Sequence, residues 1–279
     1  MNNQEQQTIL IIGAGNMGKS IANGLLSNQW PAEMITFCEH LASLQGSLQE
    51  SFPASPIISS PNEISTAPDI VLLAVKPHDM KSACHLLSTC EWLKSALIIT
   101  VAAGLPISTY QRWLGSNVTI IRCMPNTPAA IGLAMTGLYT DKDTSLTEKN
   151  VADQILGSIG ETLWVDKESM LDAVTAVSGS GPAYLFYLME GMQKSGETLG
   201  LSAEQSYKLT LQTMLGAAQL AKHQAIDFET LRANVTSKGG TTEQAINCFK
   251  KHKLHAIIEE ALSAADNRAN EISQTFEKE

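Results

Sequence analysis

Three glycines, Gly13, Gly15 and Gly18, form G-x-G-x-x-G directly after the apolar run Ile9-Leu10-Ile11-Ile12. This spacing suits a diphosphate. The first glycine permits a tight turn, the second lets the backbone approach a pyrophosphate, and the third allows a helix to pack closely on a strand. A helix-compatible run, Met17 to Leu26, follows, and its first turn offers unpaired N–H groups and a partial positive charge. The stretch reads as a dinucleotide site; a glycine-rich turn serving only packing is the alternative.

Other residues fall where such a ligand would need them. Glu39 ends a second apolar run, Met34 to Cys38, 21 residues beyond Gly18, and no arginine follows it before Lys76. An acid there commonly hydrogen-bonds the adenosine ribose of NAD and repels a 2′-phosphate; a solvated glutamate at a strand end fits equally well. Lys76-Pro77 closes the run Asp69 to Val75, and Ala102-Ala103-Gly104 follows the run Ala96 to Val101. Both lie where parallel strands put their ligands. Lys76 also reads as a surface charge, and the small residues as either room for a flat ring or a tight turn.

A second anion candidate is Asn234 to Gln244, NVTSKGGTTEQ. Gly239 and Gly240 let the backbone come close to a ligand, and Thr241 with Gln244 matches the T-x-x-Q capping pattern of a new helix. The N–H groups of its first turn suit a carboxylate without any basic side chain. Alone, the stretch is also an ordinary capped helix; beside a dinucleotide site it reads as a substrate site.

The elements that must position these residues alternate. Strands are expected at Ile9–Ile12, 34–38, 56–59, 69–75, 96–101, 118–123, 133–139 and 162–165, with helices at 17–26, 78–90, 107–114 and 147–159. That order predicts an α/β fold with a doubly wound Rossmann parallel sheet over 1–165. Beyond Asp166 the periodicity is helical throughout, so 166–279 is expected to be an all-helical substrate-binding and dimerisation domain. Tyr184, Leu185, Leu188, Met189 and Met192 form one apolar stripe, read as core or subunit contact. The last helix, from Leu254 to about Phe276, repeats Leu254, Ile258, Ala261, Ala265, Ala269 and Ile272 in steps of four and three, a stripe that needs a partner such as a second copy of the chain.

Composition narrows the classes further. In 279 residues, 44% are hydrophobic and 17% charged, the profile of a globular protein. The polar start MNNQEQQ has no basic region and does not read as a signal peptide. No apolar run reaches a membrane span, so a cytoplasmic protein is expected. A net charge of −9 argues against nucleic acid as a partner. The five cysteines, Cys38, Cys84, Cys90, Cys123 and Cys248, lack metal-ligand spacing and are expected to be buried free thiols, with no metal site.

Ala74-Val75-Lys76-Pro77, Met124-Pro125-Asn126-Thr127-Pro128, Ser178-Gly179-Ser180-Gly181-Pro182 and Asn234 to Thr242 together resemble the pyrroline-5-carboxylate reductases, in the same order and over nearly the whole length. The resemblance implies that Gly13, Gly15, Asn16, Met17 and Gly18 hold the pyrophosphate of NADPH or NADH. Lys76, Pro77 and Ala103 would line the nicotinamide ribose and ring, with Asn234 reaching in from the helical domain. The substrate carboxylate would lie against Gly240, Thr241 and Thr242, with the Thr242 hydroxyl near the ring nitrogen. The implied reaction is hydride transfer to the C=N carbon of 1-pyrroline-5-carboxylate, giving L-proline, the last step of proline biosynthesis. The implied assembly is a homodimer, with dimers joined in a larger ring, a decamer.

Two departures stand out. Lys238 occupies a position where the family commonly has proline, and Cys38-Glu39-His40 stands where many relatives have small polar or basic residues. Competing readings are a hydroxy-acid dehydrogenase, with Lys238 as its base, and a catalytically silent dinucleotide-responsive binding or regulatory protein.

Overall fold

The computed structural model describes residues 7–141 and 144–277; most of the polar start, Met1 to Gln6, lies outside them. Eight strands and eleven helices are described. In chain order they are β1 (Ile9–Ile12), α1 (Asn16–Ser27), β2 (Ile35–Cys38), α2 (Ala42–Ser51), β3 (Ile57–Ile58), β4 (Ile70–Leu73), α3 (Pro77–Leu87), β5 (Leu97–Thr100), α4 (Ile107–Leu114), β6 (Thr119–Met124), β7 (Ala134–Thr140), α5 (Leu146–Gly157) and β8 (Gly160–Trp164). Helices α6 (Met170–Val174), α7 (Gly181–Thr198), α8 (Ala203–Gln224), α9 (Phe228–Asn234), α10 (Thr241–Lys251) and α11 (Leu254–Glu277) follow.

The strands form one sheet in the order β3-β2-β1-β4-β5-β6-β7-β8. The unbroken aliphatic runs are explained by burial on both faces: every residue of β1, β4 and β5 is buried. Side chains alternate between faces. Ile9 and Ile11 therefore join Ile21, Ala22 and Leu25 of α1 in one core, while Leu10 and Ile12 join Met80, Cys84 and Leu87 of α3 in the other. The order reverses beside β1, so the carboxyl ends of β1 and β4 form the switch point at which doubly wound sheets bind ligands.

The sheet is parallel except that β7 runs antiparallel to β6. The link between them is a 3-10 turn, Thr127–Ile131, ended by Gly132 in the left-handed region. It is shorter than the dozen or so residues a parallel crossover needs. Helix α5 supplies such a crossover next, and β8 pairs parallel with β7.

Contacts divide the chain into a sheet unit, made of the residues up to Ser180 and those from Ala265 on, and a helical unit, Gly181–Ala264. Helix α6 and the last part of α11 thus pack with the sheet. Ala269 and Ser273 are buried there, and the Arg112 guanidinium donates to the Phe276 carbonyl at 2.9 Å. The terminal stripe is therefore partly covered by its own chain, not wholly by a second copy.

In the helical unit, α7 and α8 form a hairpin in which the Ser206 hydroxyl donates to the Gln193 carbonyl at 2.7 Å. Capping of α8 is reciprocal between Ser202 and Gln205. Helix α7 has no buried residue, and Leu185, Phe186 and Leu188 stay exposed. Its stripe is not core within the chain, which leaves the subunit-contact reading.

Candidate active site

Each glycine of the first motif has a distinct role. Gly13 has φ +95°, and a Cβ there would stand 2.6 Å from Val75 Cγ1, so only glycine permits this turn. A Cβ on Gly18 would stand 2.5 Å from the Gly13 carbonyl oxygen, which is the close helix–strand approach. Around Gly15 nothing lies within 4 Å of that position. Gly15 caps α1, and no side chain accepts from the helix's first turn. Asn16 is exposed and Met17 half-buried. An open cradle faced by unclaimed N–H groups fits a dinucleotide's pyrophosphate.

Glu39 is not solvated. It is 6% exposed, and its carboxylate accepts from the Ala14 amide at 3.4 Å and the Leu41 amide at 3.0 Å. Strand β2 is tied to the same loop by the Gly13 amide, which donates to the Cys38 carbonyl at 3.1 Å. Lys76 is exposed and N-caps α3, with half-buried Pro77 at the first helical position, where proline's missing N–H costs nothing. Ala103 is exposed after β5. Beside it Gly104 has φ +77°, and a Cβ there would stand 2.5 Å from Ile272 of α11. The sheet unit thus brings Gly13, Gly15, Asn16, Met17, Gly18, Glu39, Lys76, Pro77 and Ala103 together at the carboxyl ends of β1, β2, β4 and β5.

Other side chains of the sheet unit tie distant segments together, and sequence reasoning assigned them no such contacts. The Asn126 amide donates to the Ser178 carbonyl and hydroxyl, each at 3.2 Å, and accepts from the Met135 amide at 3.0 Å. Asn126 therefore ties the loop Met124 to Pro128 to the Ser-Gly-Ser-Gly-Pro motif. That motif begins in a π-helical turn, Thr175–Gly179, a form common near functional sites. Arg122, 6% exposed as a side chain, pairs with Glu168 at 3.0 Å and Asp172 at 3.9 Å, and Glu168 also accepts from the Ile107 amide at 2.7 Å. No local pattern announces this cluster, because its members are far apart in sequence.

The helical unit carries the second motif. Helix α10 starts at Thr241 with Gly240 as N-cap and no side-chain cap, so the expected pairing of Thr241 with Gln244 does not form. Glu243 takes its place, accepting from the Gly239 amide at 2.8 Å. The start at Gly240 follows from its extended backbone and the φ of +75° at Gly239. Thr241, Asn234 and Lys238 are exposed and Thr242 is half-buried.

Burial pushes the Cys84 thiol up to about 12 and the Tyr110 hydroxyl above its ordinary range; Tyr110 pairs with Thr100 at 2.6 Å. Four cysteines are buried as expected, but Cys248 is exposed on α10. A groove of about 1020 Å³ lined by Trp30, Asp69 and Asp153 opens at the other end of the sheet. Its carboxylates are already engaged, Asp69 by Thr8 and Asp153 by Thr162 and Trp164. Among the described residues, no group of three His, Cys, Asp or Glu could hold a metal, and no helix is long and apolar enough to cross a membrane.

Comparison with known proteins matches residues 168–272 to a family model for pyrroline-5-carboxylate reductase dimerisation. Residues 8–104 match a model described as NADP oxidoreductase, coenzyme F420-dependent. The chain is 42% identical to the pyrroline-5-carboxylate reductase of Pseudomonas aeruginosa over 95% of its own length and 97% of the relative's. The chain belongs to the pyrroline-5-carboxylate reductase family.

Solved structures agree. A pyrroline-5-carboxylate reductase from Coxiella burnetii superposes with a TM-score of 0.90 at 36% identity, covering 96% of this chain and 99% of that one. The Plasmodium falciparum pyrroline carboxylate reductase, solved with NADP bound, gives 0.84 at 28% identity over 96% and 99%. As a pyrroline-5-carboxylate reductase family member, the chain is an NAD(P)H-dependent oxidoreductase that self-associates.

Proposed function

We propose that the chain reduces 1-pyrroline-5-carboxylate to L-proline, with Gly13, Gly15, Asn16, Met17 and Gly18 holding the cofactor pyrophosphate. The observation that carries this is the open, uncapped start of α1 at Gly15. When bound, the dinucleotide supplies a hydride to the C=N carbon. Lys76, Pro77, Ala103 and Asn234 orient its nicotinamide end. Gly240, Thr241 and Thr242 hold the substrate carboxylate through backbone N–H groups, and Thr242 positions the ring nitrogen and relays to it the proton that solvent supplies to form the iminium ion.

This division of labour suits the residues. A protonated cyclic imine is already a strong hydride acceptor, so the protein mainly orients two rings and excludes water. A hydroxy-acid substrate would need a base beside its hydroxyl, and the candidate, Lys238, is an exposed loop residue. The family assignment favours neither that reading nor a silent regulatory protein.

We assign the helical half, 166–279, to substrate binding and dimerisation, with dimers joining in a larger ring. Buried unpaired thiols and the reducing cofactor suit a cytoplasmic location, and the acidic balance suits a small-molecule partner in place of nucleic acid. The test is the initial rate of 1-pyrroline-5-carboxylate reduction with either dinucleotide, followed by loss of nicotinamide absorbance. Turnover is expected; folded protein that binds dinucleotide and turns over no cyclic imine would overturn the reading.

A further inference from the structure

We propose that Glu39 makes this enzyme select NADH over NADPH. The proposal rests on the dinucleotide reading above and adds which dinucleotide the chain takes. Its basis is a carboxylate fixed at the end of β2, in a stretch of chain without lysine or arginine. Glu39 is held by the Ala14 amide at 3.4 Å and the Leu41 amide at 3.0 Å, so it cannot swing away from the glycine loop without leaving two donors unpaired. Ala14 lies between the first two glycines of the motif, which puts the carboxylate beside the backbone that approaches the ligand.

The surroundings match. From Ser20 to Val75 there is no lysine or arginine, so a 2′-phosphate at the end of β2 finds no guanidinium or ammonium from β2, β3 or the loops after them. The single basic residue in that stretch is His40, exposed, with Nδ1 3.5 Å from the Glu39 carboxylate. Gln45 is also engaged, its amide donating to the Glu39 carbonyl and to the Ser59 hydroxyl, while Glu63 takes the Ser59 amide at 3.2 Å and adds a second negative charge. A ribose diol can donate to a fixed carboxylate, whereas a phosphate brought against it meets a like charge and is repelled. The NADP-bound relative from Plasmodium falciparum makes this a difference within the family.

Equilibrium titration of the full-length protein, by calorimetry or nicotinamide fluorescence without substrate, tests the idea. NADH is expected to bind at least about tenfold more tightly than NADPH, and adenosine 5′-monophosphate more tightly than adenosine 2′,5′-bisphosphate, which probes the adenosine end alone. In Glu39→Gln both preferences should collapse to within about threefold, chiefly because the 2′-phosphorylated ligands gain. Glu39→Asp, which keeps the charge, should retain the preference and guards against loss through misfolding. Equal or tighter binding of NADPH to the natural chain overturns the selection while leaving the dinucleotide site standing. An unchanged ratio in folded Glu39→Gln does the same for the residue. Failure to bind either dinucleotide overturns both.

Discussion

A methyl group separates the glycine that shapes the loop from the glycine that makes room. At Gly15, φ is −71° and no protein atom lies within 4 Å of a Cβ, so Gly15→Ala should keep the natural melting temperature yet weaken dinucleotide binding by about tenfold or more. At Gly13 the same change strains a positive φ and strikes Val75. It should lower stability by roughly 1–3 kcal/mol in denaturant unfolding. Thr242→Ala should reduce kcat by about tenfold to a hundredfold, the scale of lost positioning, with dinucleotide affinity unchanged in the same titration; full catalytic efficiency would remove Thr242 from the mechanism. Glycine spacing is local, so the turn at Gly13 and the close packing at Gly18 were legible in the sequence. The cap on α10 was not: Thr241 and Gln244 have the right types, but the backbone starts its helix at Gly240, and Glu243 is the side chain that reaches back. The burial of Glu39 escaped for a similar reason, since it depends on amides that only the folded loop presents.

Individual elements are held by groups of quite different reach. Strand β6 is anchored to α6 and α4 through Arg122, Glu168 and Asp172. Truncation by Arg122→Ala leaves two carboxylates without their cation and should cost about 3 kcal/mol in chemical unfolding. Asp172 adds a pH signature. Burial raises its pKa, with Arg122 opposing, so the folded state binds its proton more tightly than the unfolded chain does. The stability this confers at low pH is lost as pH rises from the unfolded value through the folded one. Stability of Asp172→Asn relative to the natural chain should therefore grow with pH across that window. Glu148 behaves oppositely. Burial would raise it, but the Ser145 hydroxyl and amide outweigh burial and hold it below its ordinary value, so its contribution is present above the unfolded pKa and fades as pH falls through the folded one. Glu148→Gln should flatten that acid limb and cost about 0.5–1 kcal/mol, the worth of a capping interaction. Most strands and helices were legible from apolar runs and period. The reversal of β7 was not, because an alternating pattern carries no strand direction and the short link after Met124 decides it.

At the scale of the molecule, exposed Leu185, Phe186 and Leu188 on α7 form apolar surface that its own chain does not cover. Leu185→Glu with Leu188→Glu should lower the mass seen by sedimentation velocity and reduce activity with it. The stripe along α11 was legible as a face in need of a partner, but 3.6-residue periodicity cannot say whose surface the partner is. Part of the answer is the chain's own sheet unit, through Ala269, Ile272 and Phe276. That return has a consequence for synthesis. A ribosome makes the strands first, but the helix that packs beside Gly104 emerges only after the whole helical unit has been translated. The nascent sheet must wait with that flank bare, and a premature stop after Ala264 would wound the half of the protein made earliest.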